Sequence, residues 1–109
     1  MDVPDFDYEF HSELARPVDE LRGQALNRLL DLKADHDDMI GASVALDELT
    51  GQTTPHRYQA RIVVYVRPKY IAVTEKAETP EGAMKAALSS VERKIREMRA
   101  RLREQWKHP

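Results

Sequence analysis

Cationic side chains recur along the C-terminal third of the chain, on a segment whose apolar residues have helical spacing. Eight lysines and arginines lie between residues 85 and 107, accompanied by three glutamates. The apolar positions alternate in steps of four and three, which places them on one stripe of a helix and is incompatible with a strand. A row of cations along one rigid helix suits the spaced phosphates of a polyanion. The apolar stripe comprises Met84, Leu88, Val91, Ile95, Met98 and Leu102.

Charge is distributed unevenly between the two halves of the chain. Residues 1–50 hold 13 acidic and 4 basic side chains, whereas residues 51–109 hold 6 acidic and 13 basic ones. This asymmetry indicates a polyanionic partner for the basic half. The alternative is that the two halves pair with each other inside the fold.

Composition limits the class of protein. A length of 109 residues predicts one domain covering residues 1–109. Cysteine is absent, the first residues are acidic rather than signal-like, and no apolar run could span a bilayer. We therefore expect a cytoplasmic protein without a membrane partner.

Alternation and helical spacing predict the elements that position these cations. Two-residue alternation indicates strands over residues 6–10 and 58–66, and further strands are expected over 40–46 and 70–76. Pro17 suits a first helical turn, so the first helix should cover residues 17–34. Thr79 followed by Pro80 should begin a second helix that ends near Trp106.

This order predicts an α+β fold, a β-α-β-β-β-α sandwich whose four-stranded, mostly antiparallel sheet carries two helices on one face. The last helix is longer than such a sheet, so residues 100–109 should overhang its end. The expected core comprises Tyr8, Leu21, Ala25, Leu29, Val44, Ile62, Val64, Ile71, Leu88, Val91 and Ile95.

The element order and three segments resemble the ribosome hibernation promoting factors and ribosome-associated translation inhibitors in their short, single-domain form. An alternating strand from Tyr58, a second from Tyr70 ending in Thr-Glu, and a small-residue helix start at Thr79 carry the resemblance. It implies a cytoplasmic factor that binds the small ribosomal subunit and its RNA, occupying the mRNA and tRNA path under stress or in stationary phase. Together with the cationic row, it implies an RNA-binding set of Arg22, Arg28, Lys85, Arg93, Arg96, Arg99, Arg101, Arg103 and Lys107.

Two further surfaces have alternative interpretations. Aromatic and cationic residues of the strand pair are expected on the face opposite the core, where they would either stack on bases or simply cover a solvated sheet. These are Arg61, Tyr65, Arg67, Tyr70 and Lys76. In a rival hypothesis, the chain is a protein-interaction module without ribosome binding, whose last helix forms a homodimer through Met98, Leu102 and Trp106.

Catalysis is not expected. The sequence has no nucleophile–base pattern, no glycine-rich phosphate loop and only 4 glycines. His36 stands among aspartates, but adjacent residues point in different directions and no second histidine or cysteine has ligand spacing. We therefore expect neither metal, cofactor nor small-molecule substrate.

Overall fold

A computed structural model describes residues 6–14, 17–36, 38–49, 57–66 and 69–107, with side chains described as far as residue 101. Its elements follow the order β-α-β-β-β-α. They are β1 (Asp7–Ser12), α1 (Asp19–Asp35), β2 (Met39–Glu48), β3 (Tyr58–Val66), β4 (Lys69–Ala77) and α2 (Pro80–Lys107).

The four strands form one mixed sheet in the order β1-β2-β3-β4. β1 pairs with β2 in parallel because α1 carries the chain back to the starting edge, and the two later pairings are antiparallel hairpins. Both helices pack on the same face of the sheet. The predicted fold class, including a mostly antiparallel sheet, is therefore confirmed.

The core lies between that face and the helices. Alternate residues of β2, β3 and β4 point into it, among them Val44, Ile62 and Val73, which are paired across neighbouring strands. Of the predicted core residues, all are buried except Tyr8, which is half-buried and packs against the cluster. The prediction succeeded because two-residue and helical periodicities directly mark which positions face inward.

The two helices begin differently. The hydroxyl of Thr79 accepts a hydrogen bond from the amide of Gly82 at 2.9 Å, which confirms Thr79 as the N-cap of α2. α1 begins at Asp19, two residues later than predicted, with Val18 as its N-cap and no side-chain cap. The expectation that Pro17 occupies the first helical turn is therefore wrong, since the chain is not yet helical there.

Close packing of β1 against β2 requires a glycine. A Cβ atom at Gly41 would lie 2.9 Å from the backbone oxygen of Asp7, closer than side chains tolerate. The register shifts between Met39 and Gly41, so a β-bulge places Ile40 in solvent beside this glycine. A side chain at position 41 would therefore strain the pairing of β1 with β2.

No helix in the described part of the chain is long and apolar enough to cross a membrane.

Candidate nucleic-acid interface

The two helices lie side by side and run in the same direction. The start of α1, around Val18 and Leu21, shares a shallow pocket with Glu81 of α2. Midway, Arg28 contacts Glu92, and the end of α1 meets α2 where His36 contacts Arg99. Because these contacts occur in the same order along both helices, side chains from the two halves of the sequence meet along one seam.

Cations concentrate on α2 between residues 93 and 101, which we call the cationic segment. Five of its nine residues are lysine or arginine, and Glu97 is its one acid. All of these cations are exposed apart from Arg99, which is half-buried. They surround the helix on every side except the one that buries Ile95, because the apolar stripe occupies that side. The five cations are Arg93, Lys94, Arg96, Arg99 and Arg101.

Arg28 already has a partner within the protein. Its Nη2 atom donates to Oε1 of Glu92 at 3.1 Å, and the two side chains are 41% and 28% exposed. The pair joins α1 to α2 and replaces the Glu92–Arg96 pair that spacing along α2 alone would suggest. To contact a phosphate, Arg28 would have to leave or share this carboxylate.

Arg99 joins the cationic segment to the connection between α1 and β2. Its Nε–H donates to Nδ1 of His36 at 2.7 Å, and its Nη2 donates to Oδ1 of Asp38. Lys33 supports the same connection by donating from Nζ to the carbonyl oxygen of Met39 at 2.9 Å. His36 therefore serves as a hydrogen-bond acceptor for arginine, and Arg99 has a structural role besides any contact with RNA.

The remaining predicted cations differ in their surroundings. Arg22 and Lys85 are exposed on α1 and α2, respectively. The side chains of Arg103 and Lys107 lie outside the described residues. The structure thus brings Arg28, Arg99 and Arg96 to the helix seam, whereas Arg93 and Arg101 lie on other sides of α2.

A second group of cations lies where α2 passes the edge strand β4. There an open groove of about 580 Å³ is lined by three cations, Lys69, Lys94 and Arg101, and by a single acid, Glu97. The predicted RNA-binding set omitted both lysines. Helical spacing of residues 94, 97 and 101 could have grouped Lys94 with Arg101, but only the tertiary structure places Lys69 beside them.

Within the described part of the chain, nothing covers the face of the sheet opposite the helices. Arg61 and Tyr65 of β3 lie on it, and so do Tyr70 and Lys76 of β4, as the alternation predicts. Tyr65 and Tyr70 are directly paired across the strands and are 47% and 67% exposed. Arg67, the fifth predicted member, lies outside the described residues. The two alternative interpretations of this face, stacking on bases or covering a solvated sheet, both stay predictions.

Self-association through the end of α2 also stays a prediction. Met98 is half-buried and packs against the core, so part of its surface is already covered by the protein itself. The side chains of Leu102 and Trp106 lie outside the described residues. The overhang of residues 100–109 therefore also stays a prediction.

Tyr8 links β1 to the start of the helix seam. Its hydroxyl donates to the carbonyl oxygen of Arg22 at 3.0 Å. Burial raises the pKa of Tyr8 from 10.0 to about 12, while the positive charge of Arg22 opposes this shift. The phenol therefore remains protonated and continues to hold α1 against the sheet edge.

Comparisons with known proteins identify solved structures that share this fold. No protein-family model matches the sequence, and no curated protein matches it. Among solved structures, the N-terminal domain of Protein Y from Thermus thermophilus is similar, with a TM-score of 0.69 and 21% identity over 84% of this chain and 97% of that domain. A ribosomal subunit interface protein from Coxiella burnetii is similar with a TM-score of 0.71 and 8% identity, over 86% and 98% of the two chains.

These similarities show the class of fold. The chain has the β-α-β-β-β-α architecture of the Protein Y N-terminal domain and of a ribosomal subunit interface protein. The fold expected from the sequence resemblance is thereby confirmed.

Proposed function

We propose that the protein is a ribosome-associated RNA-binding factor that docks through α2 and acts by occupancy rather than by catalysis. The observation that carries the proposal is the cationic segment, in which four exposed cations and Arg99 face one acid within nine residues. The fold supports it, because one of the structurally similar proteins is a ribosomal subunit interface protein. The sequence resemblance to hibernation factors supports the same role.

The arrangement of the cations favours contact with phosphates over reading of bases. Arg93, Arg96 and Arg101 lie on different sides of one helix and would meet different parts of a folded RNA surface. Lysine and arginine contacts to phosphates orient a protein on nucleic acid without selecting a sequence. Such binding weakens steeply as salt rises, because each contact releases counterions from the RNA.

The proposed location is the mRNA and tRNA path of the small subunit, occupied under stress or in stationary phase. A protein there would block translation by excluding mRNA and tRNA. The groove between α2 and β4 extends the proposed contact surface from the predicted arginines to Lys69 and Lys94.

Co-sedimentation with purified small subunits, large subunits and whole ribosomes tests this function. We expect pelleting with small subunits at low salt and loss at high salt. The variant Arg93→Glu with Arg101→Glu reverses two exposed charges that make no ion pair among the described contacts, so it should abolish pelleting while leaving the fold intact. Arg99 is avoided because its replacement would also break the contacts to His36 and Asp38.

The matched control reverses two charges on the opposite, open face of the sheet, Arg61→Glu with Lys76→Glu. It changes the net charge equally, and we expect it to pellet as the wild type does. Equal loss of pelleting in both variants would mean either that the sheet face contributes to the interface or that binding depends on net charge alone. Failure of the wild type to pellet at low salt would contradict the proposed function.

A further inference from the structure

We propose that the open face of the sheet binds a second copy of this chain, face to face, with the two-fold axis parallel to the strands. Nothing in the described residues covers this face, and the described large apolar side chains that remain exposed all belong to it or to its bulge. They are Ile40, Tyr65 and Tyr70, at 38%, 47% and 67% exposure.

The strand register arranges the outward residues in rows across the sheet. One row is Asp7, Gly41, Tyr65 and Tyr70; the next is Glu9, Ser43, Val63 and Ala72; the third is His11, Ala45, Arg61 and Thr74. A fourth row contains Asp47, Gln59 and Lys76. It is extended to Glu13, whose amide donates to the carbonyl oxygen of Leu46 at 2.9 Å. Three of the four rows therefore begin with an acid on the β1 side, the third begins with His11, and no row has an acid on β3 or β4.

Charge is separated across this face. The outward positions of β1 and β2, with Glu13, hold four acids and no lysine or arginine. The outward positions of β3 and β4 hold Arg61 and Lys76 and no acid. A second copy turned about an axis parallel to the strands places the acidic half of each sheet over the basic half of the other. The net negative charge of the face opposes a polyanion as its occupant.

Side-chain size follows the same separation. β2 presents Gly41, Ser43 and Ala45, whereas their partners on β3 are Tyr65, Val63 and Arg61 in the same three rows. The proposed axis lays β2 over the partner's β3 row for row, so each large side chain meets a small one. An axis perpendicular to the strands would instead place small residues on small ones and the acidic β1 edge of each sheet over the acidic β1 edge of the other.

The size of the face predicts a weak dimer. The region in which all four strands are paired is six residues long and presents about 400 Å² per copy, or about 800 Å² in total. This area is below the range of stable complexes, so association should depend strongly on concentration. Stacked sheets with strands nearly aligned are an established packing arrangement, and the proposed axis aligns them.

Sedimentation velocity of the whole chain, from micromolar to millimolar concentration, tests the proposal. We expect a reversible dimer. Lys76→Glu and Glu13→Lys should each weaken it about tenfold, because each places like charges opposite one another twice in the dimer. Their combination should restore wild-type association, since the reversed charges attract again. Circular dichroism verifies that each variant is folded, and Lys94→Glu, on α2, is the control that should leave association unchanged.

A second variant tests shape independently of charge. Ser43→Tyr fills the strip of small residues and should abolish the dimer. Failure of the charge reversal to restore association, or an unaltered dimer in Ser43→Tyr, would overturn the proposal. So would a monomer at every concentration. The nucleic-acid alternative is measured with fluorescein-labelled oligouridylate. If the wild-type chain binds this RNA but never dimerises, and if Tyr65→Ser with Tyr70→Ser abolishes the binding, the face would be assigned to single-stranded RNA instead.

Discussion

Replacement of Glu92 by Gln should raise affinity for ribosomal RNA while lowering the stability of the protein. The carboxylate of Glu92 accepts a hydrogen bond from Arg28 at 3.1 Å, so an RNA phosphate must compete with it for this guanidinium. Glutamine retains the shape and the hydrogen-bonding oxygen but removes the charge. The variant therefore frees Arg28 from an ion pair without leaving a cavity.

The magnitude follows from the exposure of the pair. With side chains 41% and 28% exposed, it belongs among solvent-screened ion pairs, worth about 0.2–1 kcal/mol. The free energy of unfolding should fall by that amount. If phosphate contact requires the pair to break, binding by the wild type is weakened by the free energy of that pair. Glu92→Gln has no ion pair to break, so its affinity should be higher by about 1.5- to 5-fold. The logarithmic salt slope should steepen by up to about 0.7–0.9, the value for one additional phosphate contact.

Two assays measure these effects in parallel. Urea denaturation gives the change in unfolding free energy, and a salt titration of binding to small subunits gives affinity and slope. Asp47→Asn is the matched control, because it removes one negative charge from the open face of the sheet, where no ion pair to Asp47 is present among the described contacts. We expect the control to change affinity less and to leave the slope unaltered.

Equal gains in affinity and the same salt slope in Glu92→Gln and Asp47→Asn would refute competition between Glu92 and RNA for Arg28. That result would mean that Arg28 does not contact RNA and that only net charge matters. A fall in affinity in Glu92→Gln would mean that the Arg28–Glu92 pair itself holds the two helices in the binding arrangement.

Three further predictions concern the fold. Leu88→Ala, at a side chain 1% exposed, should lower the unfolding free energy by about 2–4 kcal/mol in urea denaturation, whereas the exposed control Lys85→Ala should change it by less than about 0.5 kcal/mol. Gly41→Ala should cost about 1–3 kcal/mol in the same assay, because its Cβ would lie 2.9 Å from the backbone oxygen of Asp7; an unchanged value would mean that β1 moves freely. Because the folded-state pKa of Tyr8 is raised from 10.0 to about 12, its stabilising contribution is complete below pH 10 and is lost as pH rises towards 12. Tyr8→Phe should therefore be less stable than the wild type at neutral pH but should lose less stability between pH 10 and 12. Parallel pH profiles of thermal unfolding for the two proteins would contradict the raised pKa of Tyr8.

Much of the architecture could be predicted from local patterns. Alternation along β3 identified Ile62 and Val64 as inward-facing, and helical spacing along α2 did the same for Leu88, Val91 and Ile95. The ends of the helices and strands were harder to predict from the sequence. α1 begins at Asp19 rather than at Pro17, because proline permits a first helical turn but does not require one.

The sequence by itself determined which elements form, which of their residues are inward, and that cations are concentrated on the last helix. These properties follow from periodicity and composition, which are local. Only the tertiary structure decided which cations are paired and which are exposed. Arg28 meets Glu92, and Arg99 meets His36 and Asp38, across separations of more than sixty positions. Lys69 likewise joins Lys94 because β4 passes beneath α2. Contacts between distant residues depend on how helices and strands pack, and no local spacing encodes that packing.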